Sequence, residues 1–303
     1  SHSTKPASGQ VAGYLPQSGE GANVSLRELN IPAMKLDEPM FECVSRHAIS
    51  RWRDRHWVRE QDSLAVEVPV ALEFNAVSHA VMLATPCDLE SFALGFALSE
   101  GIVADRSQFH HVEVEPDEAG VTLHCEIAGP AFLQLQQRRR NMTGRTGCGL
   151  CGVESLQQVF RPISPVPDGA PVPVSAMRAA LKSLANLQPL NRLTGGMHAA
   201  AWSAPDGSLQ HVCEDVGRHN ALDKLIGTMA ERGTSFRNGF LLITSRASVE
   251  MVQKAATVGI ASLIAISAPT ALAVRNADAL GMTLVAFARG EEFVAYAHAD
   301  RII

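Results

Sequence analysis

Excess positive charge is the first thing this chain lacks. Lys and Arg number 26 against 31 Asp and Glu, for a net charge of −5, so the molecule has no polycationic character suited to wrapping nucleic acid. Its basic residues are concentrated locally instead, which points to a local anionic ligand. Long apolar runs are also missing. None reaches the ~18–20 residues of a membrane span, and no membrane partner is expected. Ser1 to Ala22 is polar and rich in Gly, Ser and Gln, without a signal-peptide pattern. Cysteine is scarce, with six in 303 residues. A secreted disulfide scaffold is smaller and denser in Cys, so the expected compartment is the reducing cytoplasm. What is present, 46% hydrophobic and 19% charged residues, describes a globular protein with length for two ordinary domains.

Two of the six cysteines have a meaningful spacing, in Gly147-Cys148-Gly149-Leu150-Cys151-Gly152. Thiols so spaced can close on each other, share a metal, or pass a sulfur atom. Arg138, Arg139, Arg140 and Arg145 precede them, and nearby cations favour the thiolate, which is the reactive form. Glycines remove side-chain bulk and let the loop approach a partner closely. A structural zinc needs four ligands. No second Cys-x-x-Cys exists, and the zinc-deaminase signature is absent. Only tertiary recruitment of His198, His211, His219 or Cys213 would complete a site, so no structural zinc is expected. A thioredoxin-type dithiol opens a helix after a strand, with Trp and Pro nearby, and the glycine-flanked loop does not match. Sulfur or redox chemistry leads. Cys43, Cys87, Cys125 and Cys213 are expected to be buried, inert thiols.

Along the chain, residues 1–40 have little periodicity and the composition of a flexible tail. Val-rich alternation over Ser63–Asn75 reads as one strand and Ala80–Thr85 as a second. Thr85-Pro86-Cys87-Asp88 has helix-start chemistry, and Leu89, Phe92, Ala93, Phe96 and Ala97 follow at helical spacing up to Gly101. Residues 110–115 and 120–127 read as a hairpin. This gives a small α+β domain over 41–140, then a Cys-loop linker over 141–160 with a short helical pattern at 154–160. The remainder, 161–303, is an α/β domain. It has a helix over 176–187 with Ser175 as N-cap, strands 198–204 and 209–216 joined at Pro205-Asp206-Gly207-Ser208, and helix 220–231. Then come strand 239–244, helix 248–258, strand 262–266, helix 270–280 and strand 282–287. Such alternation predicts a sheet with parallel neighbours and helices on its faces.

Polar clusters fall where strands feed helices. Thr244-Ser245-Arg246-Ala247-Ser248 and Ser267-Ala268-Pro269-Thr270 lie at two successive strand ends, where open α/β sheets bind ligands and helix N-termini favour anions. Together they suggest a phosphate or pyrophosphate site; ordinary helix capping is the alternative. In Cys213-Glu214-Asp215-Val216-Gly217-Arg218-His219-Asn220 the charged residues are acid–base groups, ligand contacts, or a self-neutralising ion cluster. Thr194-Gly195-Gly196-Met197-His198 gives a flexible approach to the same region, although a lone His is more often structural.

Taken in order, Glu67–Leu72, Thr85-Pro86, Gly95-Phe96, Ser99-Glu100-Gly101, the Gly147–Gly152 loop, Thr194–His198, Glu214–Lys224, Thr244–Glu250 and Ser267–Ala271 closely resemble the FdhD family of sulfur carriers needed for formate dehydrogenase activity. The resemblance runs from about residue 60 to the C-terminus. It implies sulfur transfer from a cysteine desulfurase to the molybdenum bis(molybdopterin guanine dinucleotide) cofactor of the formate dehydrogenase apoenzyme, a bound substrate that guanine nucleotides such as GDP mimic. Cys148 would carry the persulfide, assisted by Cys151. Phe287-Ala288-Arg289-Gly290-Glu291-Glu292 would hold the cofactor, and Thr244, Ser245, Arg246, Ser267, His198, Arg218 and His219 are counted with it. The family further implies a homodimer and a three-layer C-terminal domain similar to the cytidine deaminase fold without its zinc ligands. A non-catalytic chaperone that holds the cofactor, with a redox or structural Cys pair, is the alternative.

Overall fold

The computed structural model describes residues 42–142 and 162–303. Cys148, Cys151, Arg145, the loop glycines, the helical pattern at 154–160 and the tail all lie outside the described residues. In chain order the elements are β1 (Val44–Arg53), β2 (His56–Ala65), β3 (Val68–Phe74), β4 (Val77–Ala84), α1 (Leu89–Ser99), β5 (Phe109–Pro116), β6 (Val121–Ile127) and α2 (Gly129–Met142). They continue with α3 (Val174–Leu184), α4 (Pro189–Thr194), β7 (His198–Ser203), β8 (Leu209–Asp215), α5 (Arg218–Glu231), β9 (Phe240–Ile243) and α6 (Val249–Thr257). Last come β10 (Ser262–Ala265), α7 (Ala271–Ala279), β11 (Thr283–Arg289) and β12 (Glu292–Ala297). The result is a mixed α/β fold.

β1 and β2 form a long antiparallel ribbon in which Trp52 faces Trp57. Its turn places Asp54 and Arg55 at φ 52° and 66°, the left-handed pair that suits a two-residue hairpin. The single strand expected over 63–75 is thus two. The chain leaves the ribbon after Ala65, where the Val66 N–H bonds the Cys43 carbonyl at 3.0 Å, and enters a second sheet as β3. That sheet runs β4-β3-β6-β5, with β3 parallel to β6 and the other pairs antiparallel.

Helix α1 carries apolar residues on nearly every side and is buried accordingly. Its expected cap is absent: Asp88 sits in the left-handed region and its side chain makes no cap bond. It crosses α5 at two glycines. A Cβ on Gly95 would strike the Asp223 carbonyl, and one on Gly227 would strike the Ser91 carbonyl. Only glycine permits that approach, and through it one apolar cluster runs from Val70 to Ala297. Helix α2, which was not expected, opens with Gly129-Pro130, where proline's missing N–H is no loss. Its Arg138 donates to the Gly101 carbonyl at 2.9 Å, closing the end of α1.

The six-stranded sheet has the order β12-β11-β10-β9-β7-β8. β9, β10 and β11 are parallel neighbours, as the alternation predicted, and β7, β8 and β12 run antiparallel to theirs. Residues of β9 and β10 are buried throughout, the pattern of strands covered on both faces. Ala199, Ala201, Phe240, Leu242, Ile264 and Val285 meet α3 on one side. Ala200, Trp202, Leu241, Ile243, Leu263 and Leu284 join the cluster of α1, α5, α6 and α7 on the other. α3 starts one residue before Ser175, with Pro173 at its N-cap, so Ser175 lies inside the helix rather than capping it.

Cys125 and Cys213 are buried thiols, each with its pKa pushed up to about 12 by burial, and so inert. Cys43 and Cys87 differ from expectation. Both are half-buried and joined as a disulfide, with Cα atoms 6.1 Å apart. The spacing of 44 residues carried no sequence signal for this pairing. It ties the base of the ribbon to the turn that opens α1.

Candidate functional site

One end of the six-stranded sheet gathers nearly all the polar residues singled out in the second half. Parallel strands β9, β10 and β11 finish there. β7, antiparallel to β9, begins there with His198, and β8 ends there with Asp215 opposite His198. Helices α5 and α6 start at the same end. Thr244 is spent on the sheet: its Oγ1 accepts from the Ala199 N–H at 2.9 Å. Ser245 is buried and its hydroxyl donates to the Arg246 carbonyl at 3.1 Å, while Arg246 itself is exposed. Thr270 realises the capping alternative, accepting from the Ala273 N–H at 3.2 Å. Ser248 precedes α6 without a side-chain cap bond. Ser267 is half-buried and gives its carbonyl to the Phe287 N–H at 3.2 Å.

The segment 287–292 divides by face. Phe287 is 42% exposed at φ 51°, a strained position for an aromatic residue and the kind that clusters at ligand sites. Ala288 is buried in the cluster with α3. Arg289 is exposed and donates from Nε to the Ile266 carbonyl at 3.0 Å. Gly290 makes the turn at φ 57°. Glu291 pairs with Arg178 of α3 at 2.8 Å, and Glu292 sits exposed opposite Arg289.

Beneath this edge lies a charged interior. Asp215 and Lys224 are both fully buried and 2.7 Å apart. Asp215 also accepts from the N–H groups of Thr85 at 3.0 Å and Gly217 at 2.7 Å and from Asn220 Nδ2 at 3.0 Å. Lys224 donates to the Thr85 carbonyl at 2.9 Å. The ion-cluster reading therefore holds for Asp215, with Lys224 as the cation and not Arg218. Nearby, Lys254 contacts Asp223 and Glu100, each at 2.8 Å, and Ser99 at 3.0 Å. Burial works against the Lys254 charge, but the two carboxylates outweigh it and raise its pKa. Glu214 serves the backbone: its carboxylate accepts from the N–H groups of Leu190 at 3.0 Å and Asn191 at 2.8 Å, capping α4. Burial raises its pKa and those two bonds oppose the rise.

His198, Arg218 and His219 stand between the charged interior and the strand ends. Burial, then Arg218, lowers the His198 pKa, against the pull of Asp215. His219 falls to about 4, driven by burial and then by Arg218 and Lys254. Both imidazoles are thus neutral near pH 7. Arg218 Nε and His219 Nε2 are buried without a hydrogen-bond partner, which leaves a free donor on Arg218 and an unmet ring nitrogen on His219 at the mouth of α5. Among the described residues, no group of three or more His, Cys, Asp or Glu side chains is placed to hold a metal ion. Thr85, Glu100 and Lys224 stood in the family motifs without an assigned role and Lys254 stood outside them, because nothing in periodicity or spacing announces a buried ion pair.

The low His219 pKa fixes a pH dependence. An unfolded imidazole titrates near 6.5, so the unfolded chain binds more protons between pH 6.5 and 4. Stability is complete above that window and falls by up to about 3 kcal/mol as pH drops through it. Urea unfolding of His219→Gln at pH 7 and pH 4.5 is expected to show a smaller acid loss than the parent; equal losses would mean that the imidazole is not held neutral.

The chain is similar to known proteins over most of its length. Residues 65–303 match the model of the FdhD/NarQ family. The sulfur carrier protein FdhD of Cupriavidus necator is 52% identical over 258 residues, covering 85% of this chain and 90% of that protein. That of Variovorax paradoxus is 49% identical over 255 residues, 84% of this chain and 90% of its own. A crystal structure of a putative formate dehydrogenase accessory protein from Desulfotalea psychrophila superposes with a TM-score of 0.67 at 22% identity, over 86% of this chain and all of that one.

Proposed function

Because the chain belongs to the FdhD/NarQ family, we propose that it accepts sulfur from a cysteine desulfurase and delivers it to the molybdenum bis(molybdopterin guanine dinucleotide) cofactor destined for formate dehydrogenase. The observation that carries this reading is the 52% identity to a sulfur carrier protein along 90% of that protein's length. The Cys148 thiolate attacks the outer sulfur of the donor's persulfide. A new S–S bond forms, the donor's own sulfur leaves as a thiolate, and Cys148 becomes a persulfide. Cys151 then attacks the Cys148 sulfur, expelling hydrosulfide toward the metal and leaving a Cys148–Cys151 disulfide for a dithiol reductant. Undiminished multi-turnover transfer by Cys151→Ala would rule out that second step.

The cofactor is the substrate, and each guanine dinucleotide arm brings a pyrophosphate. Exposed Arg246 and Arg289 beside the starts of α6 and α7 suit such an anion, and Arg218 offers a buried Nε–H that has no hydrogen-bond partner. Phe287 offers an exposed aromatic face to a guanine. The sheet with helices on both faces is compatible with a cytidine deaminase-like relative, and a homodimer working in the cytoplasm completes the proposal. Arg246→Ala is expected to weaken GDP binding roughly tenfold, the worth of one charge-assisted contact, and to leave persulfide loading unchanged. Isothermal titration that gives both proteins the same affinity would remove Arg246 from the site. The function itself is tested by incubating apo-formate dehydrogenase, cofactor, desulfurase and cysteine with and without the chain. Formate oxidation should depend on the chain; equal activity in its absence contradicts the reading.

A further inference from the structure

The β1–β2 ribbon has no function in this scheme, and most of it precedes the residues that the family matches. It pairs along ten residue positions, yet none of its side chains is fully buried. The ribbon packs against α4, but its tip carries two exposed tryptophans, and an isolated two-stranded hairpin end is marginal in water, so the tip gains by being covered. Its two faces differ. Side chains alternate between faces, so the cross-strand pairs Arg46–Ser63, Ala48–Gln61, Ser50–Arg59 and Trp52–Trp57 share one of them. That face holds two arginines and two tryptophans and no carboxylate. The tryptophans are 57% and 66% exposed, with ring centroids 5.3 Å apart. The opposite face contains Glu60 and Asp62, both bound to Arg51. Exposed Trp flanked by Arg is the composition of a binding hot spot, and it lies on a chain whose net charge is −5.

We propose that the Trp52–Trp57 face of the ribbon is a docking arm for a carboxylate-rich surface on the sulfur-donating desulfurase. The assignment rests on the sulfur-carrier reading. A carrier visits a donor and an acceptor in turn, and the acceptor's cofactor is assigned to the strand ends of the six-stranded sheet, to which the ribbon contributes no strand. The Trp-bearing tip of the ribbon, whose base meets α4, is the surface assigned to the donor. Arginines there steer the encounter electrostatically, and the two indoles supply the buried contact. Cys43 meets Cys87 at the base of the arm, beside the turn that opens α1.

The test compares full-length wild type with W52A/W57A and R46E/R59E, each first shown to keep its Tm. Sulfur uptake is measured with purified desulfurase plus cysteine, and separately with glutathione persulfide, which needs no docking. Desulfurase-driven kcat/KM should fall about tenfold or more in both variants, and the wild-type rate should drop with added salt. Uptake from glutathione persulfide should stay within about twofold, since it involves no hot-spot contact. Equal desulfurase-driven rates in all three proteins overturn the proposal. So does a parallel loss with glutathione persulfide, which would place the defect at the carrier thiol. Binding of wild type, but not of the variants, to anionic vesicles or single-stranded RNA, with desulfurase rates unchanged, assigns the face elsewhere and also overturns it. A wild type that takes sulfur from glutathione persulfide but not from the desulfurase removes the donor and the arm. One that takes sulfur from neither removes the carrier reading on which the arm stands.

Discussion

Lys224→Met is expected to destabilise the fold by about 3–5 kcal/mol, the cost of leaving a buried charge without its partner. Asp215 would remain fully buried beside a thioether, and the Thr85 carbonyl would lose its donor. The double substitution Asp215→Asn with Lys224→Met should recover part of the loss, because it removes the buried charge and an amide oxygen in the place of Oδ1 still accepts from the Gly217 N–H and Asn220 Nδ2, while the Thr85 N–H loses its acceptor. Urea unfolding of the parent, the single and the double variants measures both effects. A single variant within about 1 kcal/mol of the parent would mean that water reaches the pair. Position matters as much as energy. Asp215 and Lys224 hold Thr85, the turn into α1, against the start of α5, so the strand-end residues inherit their placement from this pair.

The second large effect concerns the thiol outside the described residues. Cys148→Ala is expected to lower chain-dependent formate oxidation by roughly two orders of magnitude or more, as removal of a nucleophile does, while leaving the Tm and GDP affinity unchanged. Cys148→Ser should do the same, since a hydroxyl cannot hold a sulfur as a persulfide. Loss of activity together with loss of Tm would instead assign Cys148 a structural part. Full activity in the alanine variant would exclude the persulfide route.

Much of the fold was legible, and the reasons are local. β9, β10 and β11 read correctly because short apolar runs alternate with amphipathic helices. β7 and β8 read correctly from the turn at Asp206-Gly207. The ribbon did not, because an element without a buried face has no apolar alternation to detect. β12 and α4 are too short for their periods to show. Glu214, open from sequence as an acid–base group, a ligand contact or part of an ion cluster, caps α4 from a neighbouring strand, and Cys43 meets Cys87 across 44 residues. Such pairings are set by topology, and no local pattern encodes them. The family motif supplied Cys148 and Cys151, whereas the buried ion pairs beneath the site emerged only from the fold.

The central idea is that this chain is loaded with sulfur on a single thiol. The most direct measurement is the intact mass of the full-length protein after incubation with desulfurase and cysteine, beside the Cys148→Ala variant. One additional sulfur atom on the parent, removable by dithiothreitol and absent from the variant, is the predicted result. A parent of unchanged mass, or a variant that gains the same sulfur, would contradict it.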